Sequence, residues 1–382
     1  MSYNLFKRSQ CLFWRHEFDP SPGMAEPPIS RCLNFFRGSG RGGKDEIRDF
    51  EPTGNEERET MKQIETIRGA RTIVETCAGV KAGESVLIIT DTNLVQIAEV
   101  LAMAVRERDA EPVLAVMIPR KGHSEEPPAC LAEAMKKANV ILTPVSTSIT
   151  HTRAVKEAAE AGSRAIVMTA FTEDLLIRGG IQADFRKQKP VCLEVARRFQ
   201  EARSVRLTSP GGTSLTLRKE GRRGNALYCL VEPGQFSTVP TIEANFSPLE
   251  GTAEGVIVAD ASIPYLGIGV LREPVECSVE KGFIVKIEGG PQAEVLKNDL
   301  ESRKDPNAYN VAELGVGLNP ESRMTGIMLD DEGVFGSVHI GIGSNITLGG
   351  NIKAAIHYDL LMWKATIELD GKAILEKGEL RI

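Results

Sequence analysis

Residues 62–203 alternate short apolar runs with amphipathic helical segments, and that alternation restricts the chain to few folds. Val86-Leu-Ile-Ile-Thr90 is a continuous apolar run, the pattern of a strand buried on both faces. Asp91-Thr-Asn93 follows with residues suited to a helix N-cap. Leu94, Ile97, Leu101 and Val105 then fall on one helical face, with Gln96, Glu99 and Arg106 opposite. Val113–Ile118, Val140–Thr143 and Arg164–Met168 repeat the strand signal. Helices are predicted near 128–138, 151–161 and 190–202. Strands and helices in this order imply an α/β domain over residues 61–203, with a doubly wound parallel sheet. No G-x-G-x-x-G opens any of these helices, so a dinucleotide cofactor is not expected.

From Ser204 the texture becomes β-rich. Val205–Thr208 and Ser214–Leu217 flank Pro210-Gly-Gly212, a hairpin signal. Short strands are predicted at Val256–Ala259, Phe283–Ile287 and Thr366–Leu369, with a helix at 291–302 between them. Asp370-Gly371 is a tight-turn dipeptide leading into the last strand. Residues 204–382 therefore read as a second, α+β domain rich in β-strands.

Residues 1–60 differ from both. They hold eight of the chain's twenty aromatic residues, with Pro and Gly clusters and no sustained periodicity. We expect a poorly structured extension, with Met61 as the natural start. Gly38-Ser-Gly-Arg-Gly-Gly43-Lys44 imitates a phosphate loop, but Asp45 stands where Ser or Thr must hold magnesium, and no strand precedes it. It reads as a Gly-rich linker.

The 382 residues are 42% apolar and 26% charged, with a net charge of -6. No block of basic residues argues for a nucleic-acid partner. No apolar run approaches a membrane span, and Met1–Gln10 lacks the apolar core of a signal peptide. A cytoplasmic protein acting on a small-molecule or peptide substrate is expected, and a homo-oligomer is left open. The seven cysteines are scattered, without C-x-x-C, and are expected to be reduced structural thiols.

Three segments in the second half carry candidate chemistry: Ala312-Glu313-Leu-Gly-Val-Gly-Leu-Asn-Pro320, Val338-His339-Ile-Gly-Ile-Gly-Ser-Asn345 and Ile356-His357-Tyr-Asp359-Leu-Leu-Met362. As strands, they alternate faces with period two. Glu313 then shares a face with Gly315 and Gly317, His339 with Gly341 and Gly343, and His357 with Asp359. Each strand buries one apolar face and offers ligands on the other. The glycines leave room above the backbone for an ion or a substrate. Imidazole with carboxylate suits zinc, iron(II), manganese or cobalt. Glu250 falls in a loop before the strand Val256–Ala259, as a solvated side chain or as a metal ligand or general base. His151 lies beyond the carboxyl end of strand Val140–Thr143, where open α/β sheets bind ligands, or else starts a helix at the surface. His123 reads as a loop residue.

Asn245–Glu254, Glu313-Leu-Gly-Val-Gly-Leu-Asn-Pro, His339-Ile-Gly-Ile-Gly and His357-Tyr-Asp359 together resemble the thermophilic metallo-aminopeptidases of the aminopeptidase T family. The resemblance spans nearly all of 62–382 and is specific in the second half. It implies two divalent metals held by Glu250, Glu313, His339, His357 and Asp359. The chain is also similar to 2,5-dihydroxypyridine 5,6-dioxygenase, an iron(II) ring-cleaving enzyme. That family has the His-x-Asp strand, a histidine matching His151 and a stretch like Thr252-Ala-Glu-Gly255, but takes a histidine where this chain has Glu313. From the aminopeptidases the chain departs in its short interval between His339 and His357, which lacks their extra Tyr.

The leading expectation is a divalent-metal hydrolase, removing N-terminal residues from peptides or cleaving a related amide. Two zinc or cobalt ions would activate water, Glu250 or Glu313 would stand nearest that water, and His151 would reach the substrate. The alternative is a non-haem iron(II) dioxygenase cleaving a small hydroxylated aromatic such as 2,5-dihydroxypyridine.

Overall fold

The computed structural model describes residues 64–150 and 152–382. The expected extension over residues 1–60, its Gly38–Lys44 segment, Met61 and His151 lie outside the described residues. The four apolar runs of the first half form strands β1 (Ser85–Asp91), β2 (Glu111–Met117), β3 (Val140–Val145) and β4 (Arg164–Thr169). Helices Val95–Arg106, Ala129–Met135 and Arg153–Glu160 connect them. All neighbouring strands pair in parallel, in the order β2-β1-β3-β4.

Alternate residues of these strands enter two separate apolar layers. Val86, Ile88, Val140, Leu142, Ile166 and Met168 pack with Ile97, Leu101 and Val105 of the first connecting helix. Leu87, Ile89, Ile141 and Ala165 pack with Met135, Ala154, Val155 and Ala158 of the other two. Helices therefore cover both faces of β1, β3 and β4, which is why these strands read as unbroken apolar runs. The third predicted helix begins earlier than its periodicity suggested. It spans Phe185–Glu201, because the Asp184 carboxylate accepts a hydrogen bond from Lys187 N at 3.0 Å and caps it, while Pro190 lies inside.

Beyond residue 203 the chain forms β5 (Ser204–Thr208), β6 (Ser214–Arg218), β7 (Asn225–Leu227), β8 (Phe236–Thr238), β9 (Glu243–Phe246) and β10 (Glu254–Ala259). Then come β11 (Ser262–Ile263), β12 (Gly269–Val270), β13 (Val275–Glu280), β14 (Phe283–Gly289), the helix Pro291–Arg303 and β15 (Val311–Gly317). The chain ends with β16 (Val338–Gly343), β17 (His357–Met362), β18 (Thr366–Leu369), β19 (Lys372–Glu376) and β20 (Glu379–Leu380). Strand β8 joins the first sheet, parallel to β4. The others build two antiparallel sheets, ordered β14-β13-β10-β6-β5-β18-β19-β20 and β12-β11-β17-β16-β15-β9-β7. The β5–β6 and β18–β19 hairpins form where Gly211-Gly212 and Asp370-Gly371 predicted them. Asp370 and Gly371 both have positive φ, +48° and +82°, as a two-residue turn of this hand requires.

Lys219, just after β6, is fully buried. Its Nζ donates to the Arg222 carbonyl at 3.0 Å and lies 5.3 Å from the centre of the Phe246 ring on β9. Burial pulls its pKa down to about 8, with Asp370 offsetting part of the shift. Between that value and about 10.4 in the unfolded chain, the unfolded state binds more protons. Wild-type stability should therefore rise, relative to Lys219→Met, as pH goes from 8 towards 10.4. Thermal melts of both proteins across this range check it, and a pH-independent difference would contradict it.

Candidate metal centre

The seven-stranded sheet brings the three sequence segments side by side. Antiparallel register places Gly315 opposite His339, Glu313 opposite Gly341, Gly341 opposite Asp359, and Gly343 opposite His357. On the other side of β15, Gly317 is opposite Glu243 and Gly315 opposite Asn245. Directly opposed residues share a face, so Glu243, Asn245, Glu313, His339, His357 and Asp359 all project from one side. Leu314, Val316, Ile340, Ile342 and Leu360 are buried on the other.

The glycines have a different use from the one expected. A Cβ on Gly315 would lie 2.0 Å from His339 Nε2, and one on Gly341 would lie 2.7 Å from the Glu313 Cβ and 2.9 Å from the His357 ring. The room they leave is filled by the imidazoles and by the base of Glu313. A large side chain on one strand thus faces a glycine on the next, and the polar groups can crowd over a flat stretch of backbone.

Two overlapping groups result. Glu243, Glu313 and His339 form one, and Glu313, His357 and Asp359 the other, the ligand atoms within each lying within 4.8 Å of one another. His357 Nε2 is 2.9 Å from Glu313 Oε2 and 3.6 Å from Asp359 Oδ1. His339 Nε2 is 3.2 Å from Glu243 Oε2 and 3.7 Å from Glu313 Oε1. Glu313 therefore turns one oxygen to each imidazole. His357 Nδ1–H donates to the Ser344 carbonyl at 2.8 Å, which fixes the tautomer with Nε2 facing the carboxylates. Tyr265 donates to Asp359 Oδ2 at 2.7 Å and lies 3.2 Å from Glu332 Oε1. Asn245 Nδ2 donates to Glu243 Oε1 at 2.9 Å and accepts at Oδ1 from Asn225.

Burial opposes charge here, and the groups answer by sharing it. Burial pushes Glu243 up, with His339 pulling against it, and Glu332 is raised well above the usual range by burial and the Asp359 and Glu243 charges. Burial works against His339 and His357 as cations, yet neighbouring carboxylates hold both well above a normal histidine. Burial raises Asp359, but His357, His339 and the Tyr265 hydroxyl more than reverse it and hold it well below its ordinary value. Burial and the nearby carboxylates raise the Tyr265 phenol, so it stays a donor. Glu243 Oε2 and Asp359 Oδ1 are buried and face the imidazoles, and among the described residues neither accepts a hydrogen bond. Buried carboxylate oxygens without donors are costly, and a divalent cation among these oxygen and nitrogen atoms would satisfy them. The donor set fits such an ion, and contains no thiolate.

Four of the residues singled out from sequence meet in this centre: Glu313, His339, His357 and Asp359. Glu250 does not join them. Its carboxylate pairs with Arg222 and accepts from Asn345 Nδ2 at 3.0 Å and Asn351 N at 2.7 Å, clasping the segment 345–351. Glu243, which sequence reasoning did not single out, lies beside Glu313 and His339 instead. Its signal was present in Ile242-Glu-Ala-Asn-Phe246, where two polar residues alternate with three apolar ones. Tyr265 and Glu332 carried no such pattern. His123 does lie in a loop, and its Nδ1 accepts from Ser148 N at 3.2 Å.

A family model described as NicX, 2,5-dihydroxypyridine 5,6-dioxygenase, matches residues 66–382. The chain belongs to that family. The 2,5-dihydroxypyridine 5,6-dioxygenase of Pseudomonas putida KT2440 is 31% identical over 160 residues, which cover 39% of this chain and 45% of that relative. The match thus spans under half of the relative's length. The solved structure of 2,5-dihydroxypyridine dioxygenase from Pseudomonas putida KT2440 superposes with a TM-score of 0.72 at 20% identity, over 82% of this chain and 96% of that one. Wild-type AmpT from Thermus thermophilus superposes with a TM-score of 0.62 at 17% identity, over 84% of this chain and 100% of that one. Both share the fold. The family match favours the ring-cleaving alternative over the aminopeptidase expectation. Among the described residues no helix is long and apolar enough to cross a membrane.

Gly315 yields a direct test. Gly315→Ala should drive the His339 ring away from Glu243 and weaken divalent-metal binding by at least the roughly 10–100-fold expected of a group that orients a ligand. His339→Ala should do the same. The double variant should be no worse than either single change, because removing the ring makes room for the new Cβ. Additive losses in a metal titration would show that the two residues act separately.

Proposed function

We propose that this chain is a metal-dependent ring-cleaving dioxygenase acting on a small hydroxylated aromatic, with 2,5-dihydroxypyridine as the first substrate to try. The observation that carries the reading is the Glu313–His357–Asp359 group, supported by membership of the dioxygenase family. His357 Nε2, Asp359 Oδ1 and the Glu313 carboxylate would hold an iron(II) ion. Bound there, the iron would supply the redox chemistry that lets oxygen react with an electron-rich ring.

The residues of the chain do the positioning. The Ser344 carbonyl holds His357 in the ligating tautomer. Tyr265 engages Asp359 Oδ2 and leaves Oδ1 turned inward. Tyr265 also lies 3.2 Å from Glu332 Oε1, a carboxyl that burial and the Asp359 and Glu243 charges raise well above its ordinary value. His151, which follows strand β3 in the sequence, is proposed to take a proton from a substrate hydroxyl. Two carboxylates and one histidine differ from the common set of two histidines and one carboxylate, which makes this centre more anionic.

A second reading keeps the expected hydrolase. It is favoured by one observation: Glu313 is shared between two ligand groups, as a residue bridging two cations would be. Zinc or cobalt would then occupy both.

Protein purified without oxygen and loaded with iron(II) should consume oxygen when given 2,5-dihydroxypyridine and bleach the aromatic absorbance. His357→Ala and Asp359→Ala should each lower the rate by at least about 100-fold, since both are direct ligands in this reading. No oxygen uptake, together with two zinc or cobalt ions per chain and release of amino acids from aminoacyl amides, would replace it with the hydrolase.

A further inference from the structure

The side chain of His357 is 28% exposed, against 6% or less for Glu313, His339 and Asp359. Its Nδ1 is held by the Ser344 carbonyl, which lies in the loop joining β16 to β17. The direction of that carbonyl is set within its own peptide group. Ser344 C=O and Asn345 N–H share one planar unit and point opposite ways. Asn345 N donates to Ile352 O at 3.0 Å. Whatever holds Asn345 against Ile352 therefore aims the Ser344 carbonyl at the His357 ring.

The loop closes around the Asn345 side chain, which is fully buried. Asn345 Oδ1 accepts from Ile352 N at 2.7 Å, its backbone carbonyl accepts from Gly350 N at 2.9 Å, and its Nδ2 donates to Glu250 Oε1 at 3.0 Å. A Cβ on Gly350 would lie 2.0 Å from Asn345 Cγ, so the turn is drawn tight against this amide. The same Glu250 oxygen accepts from Asn351 N at 2.7 Å. The other Glu250 oxygen pairs with Arg222, which also donates to the Gly349 carbonyl. Arg222 follows β6 and Glu250 follows β9, and their side chains are 9% and 21% exposed. A largely buried ion pair is often no more stabilising than an apolar pair, and its attested use is to fix one arrangement. Burial works against the Glu250 carboxylate, yet the Asn351 N–H, its own backbone N–H, Asn345 and Arg222 hold its pKa below the ordinary value, so it stays anionic at neutral pH.

We propose that Glu250 and Arg222 are positioning residues of the metal centre: they hold the loop 344–352 so that the Ser344 carbonyl turns His357 Nε2 towards the cation. Glu250 then acts on the metal through His357 and not as a ligand. This role rests on His357 ligating the cation, as in either reading above.

Titration of the metal-free full chain with zinc against a chelator gives a dissociation constant without any turnover. Glu250→Gln should raise it about 10-fold, the lower end of what losing an outer-shell partner costs. Gly350→Ala, which pushes on the Asn345 amide and leaves both charges in place, should do the same. In a His357→Ala background neither change should weaken zinc further, because the ring they position is gone. In the zinc-loaded wild type the His357 Nδ1–H should give a slowly exchanging proton resonance, which Glu250→Gln should broaden or remove. An unchanged constant in folded Glu250→Gln and Gly350→Ala variants would overturn the proposal. So would a loss that persists in the His357→Ala background, since Glu250 would then reach the metal by another path. Zinc binding indifferent to His357→Ala alone would instead sink the metal centre on which this role rests.

Discussion

Glu313 facing two imidazoles from the floor of a buried sheet is the contact on which the rest of the second half depends. A carboxylate away from water is costly unless it is paired and hydrogen-bonded. Here the pairing needs His339 and His357 to lie flat over neighbouring strands. That in turn needs glycine at 315 and 341, where any Cβ would enter a ring. Four strands must hold register to one residue for this to work, because a slip by one would turn every ligand into the apolar layer. Leu314, Val316, Ile340, Ile342 and Leu360 on the reverse face resist such a slip, since it would set all of them among the buried polar groups.

The same constraint explains what could be read from the sequence. Period-two alternation made the faces of Glu313, His339, His357 and Asp359 legible, because each strand has one continuous apolar face. The parallel sheet was legible for the opposite reason: strands covered on both sides are apolar throughout. Helix ends were less so, and Asp184 rather than the apolar stripe decided where the helix Phe185–Glu201 begins.

What stayed hidden is what depends on neighbours distant in sequence. Glu243 and Glu250 are both acidic residues near a strand, seven positions apart. Only sheet pairing shows that Glu243 faces Gly317, while Glu250 meets Arg222. Glycines beside the ligands read in the sequence as room for an ion, but cross-strand pairing gives that room to the histidine rings. Tyr265 comes from an irregular segment, with no period to betray a face, yet it decides which Asp359 oxygen stays free. The choice between chemistries was likewise hidden, since one shared carboxylate serves either a single cation or a bridged pair.

The central claim is that Glu313, His357 and Asp359 hold one cation together. Anomalous diffraction at the iron edge, from crystals grown without oxygen in the presence of iron(II), tests it most directly. The account predicts a single peak at bonding distance from His357 Nε2, Asp359 Oδ1 and a Glu313 oxygen. A peak held by Glu250, or no peak among these three side chains in crystals that contain iron, would contradict it.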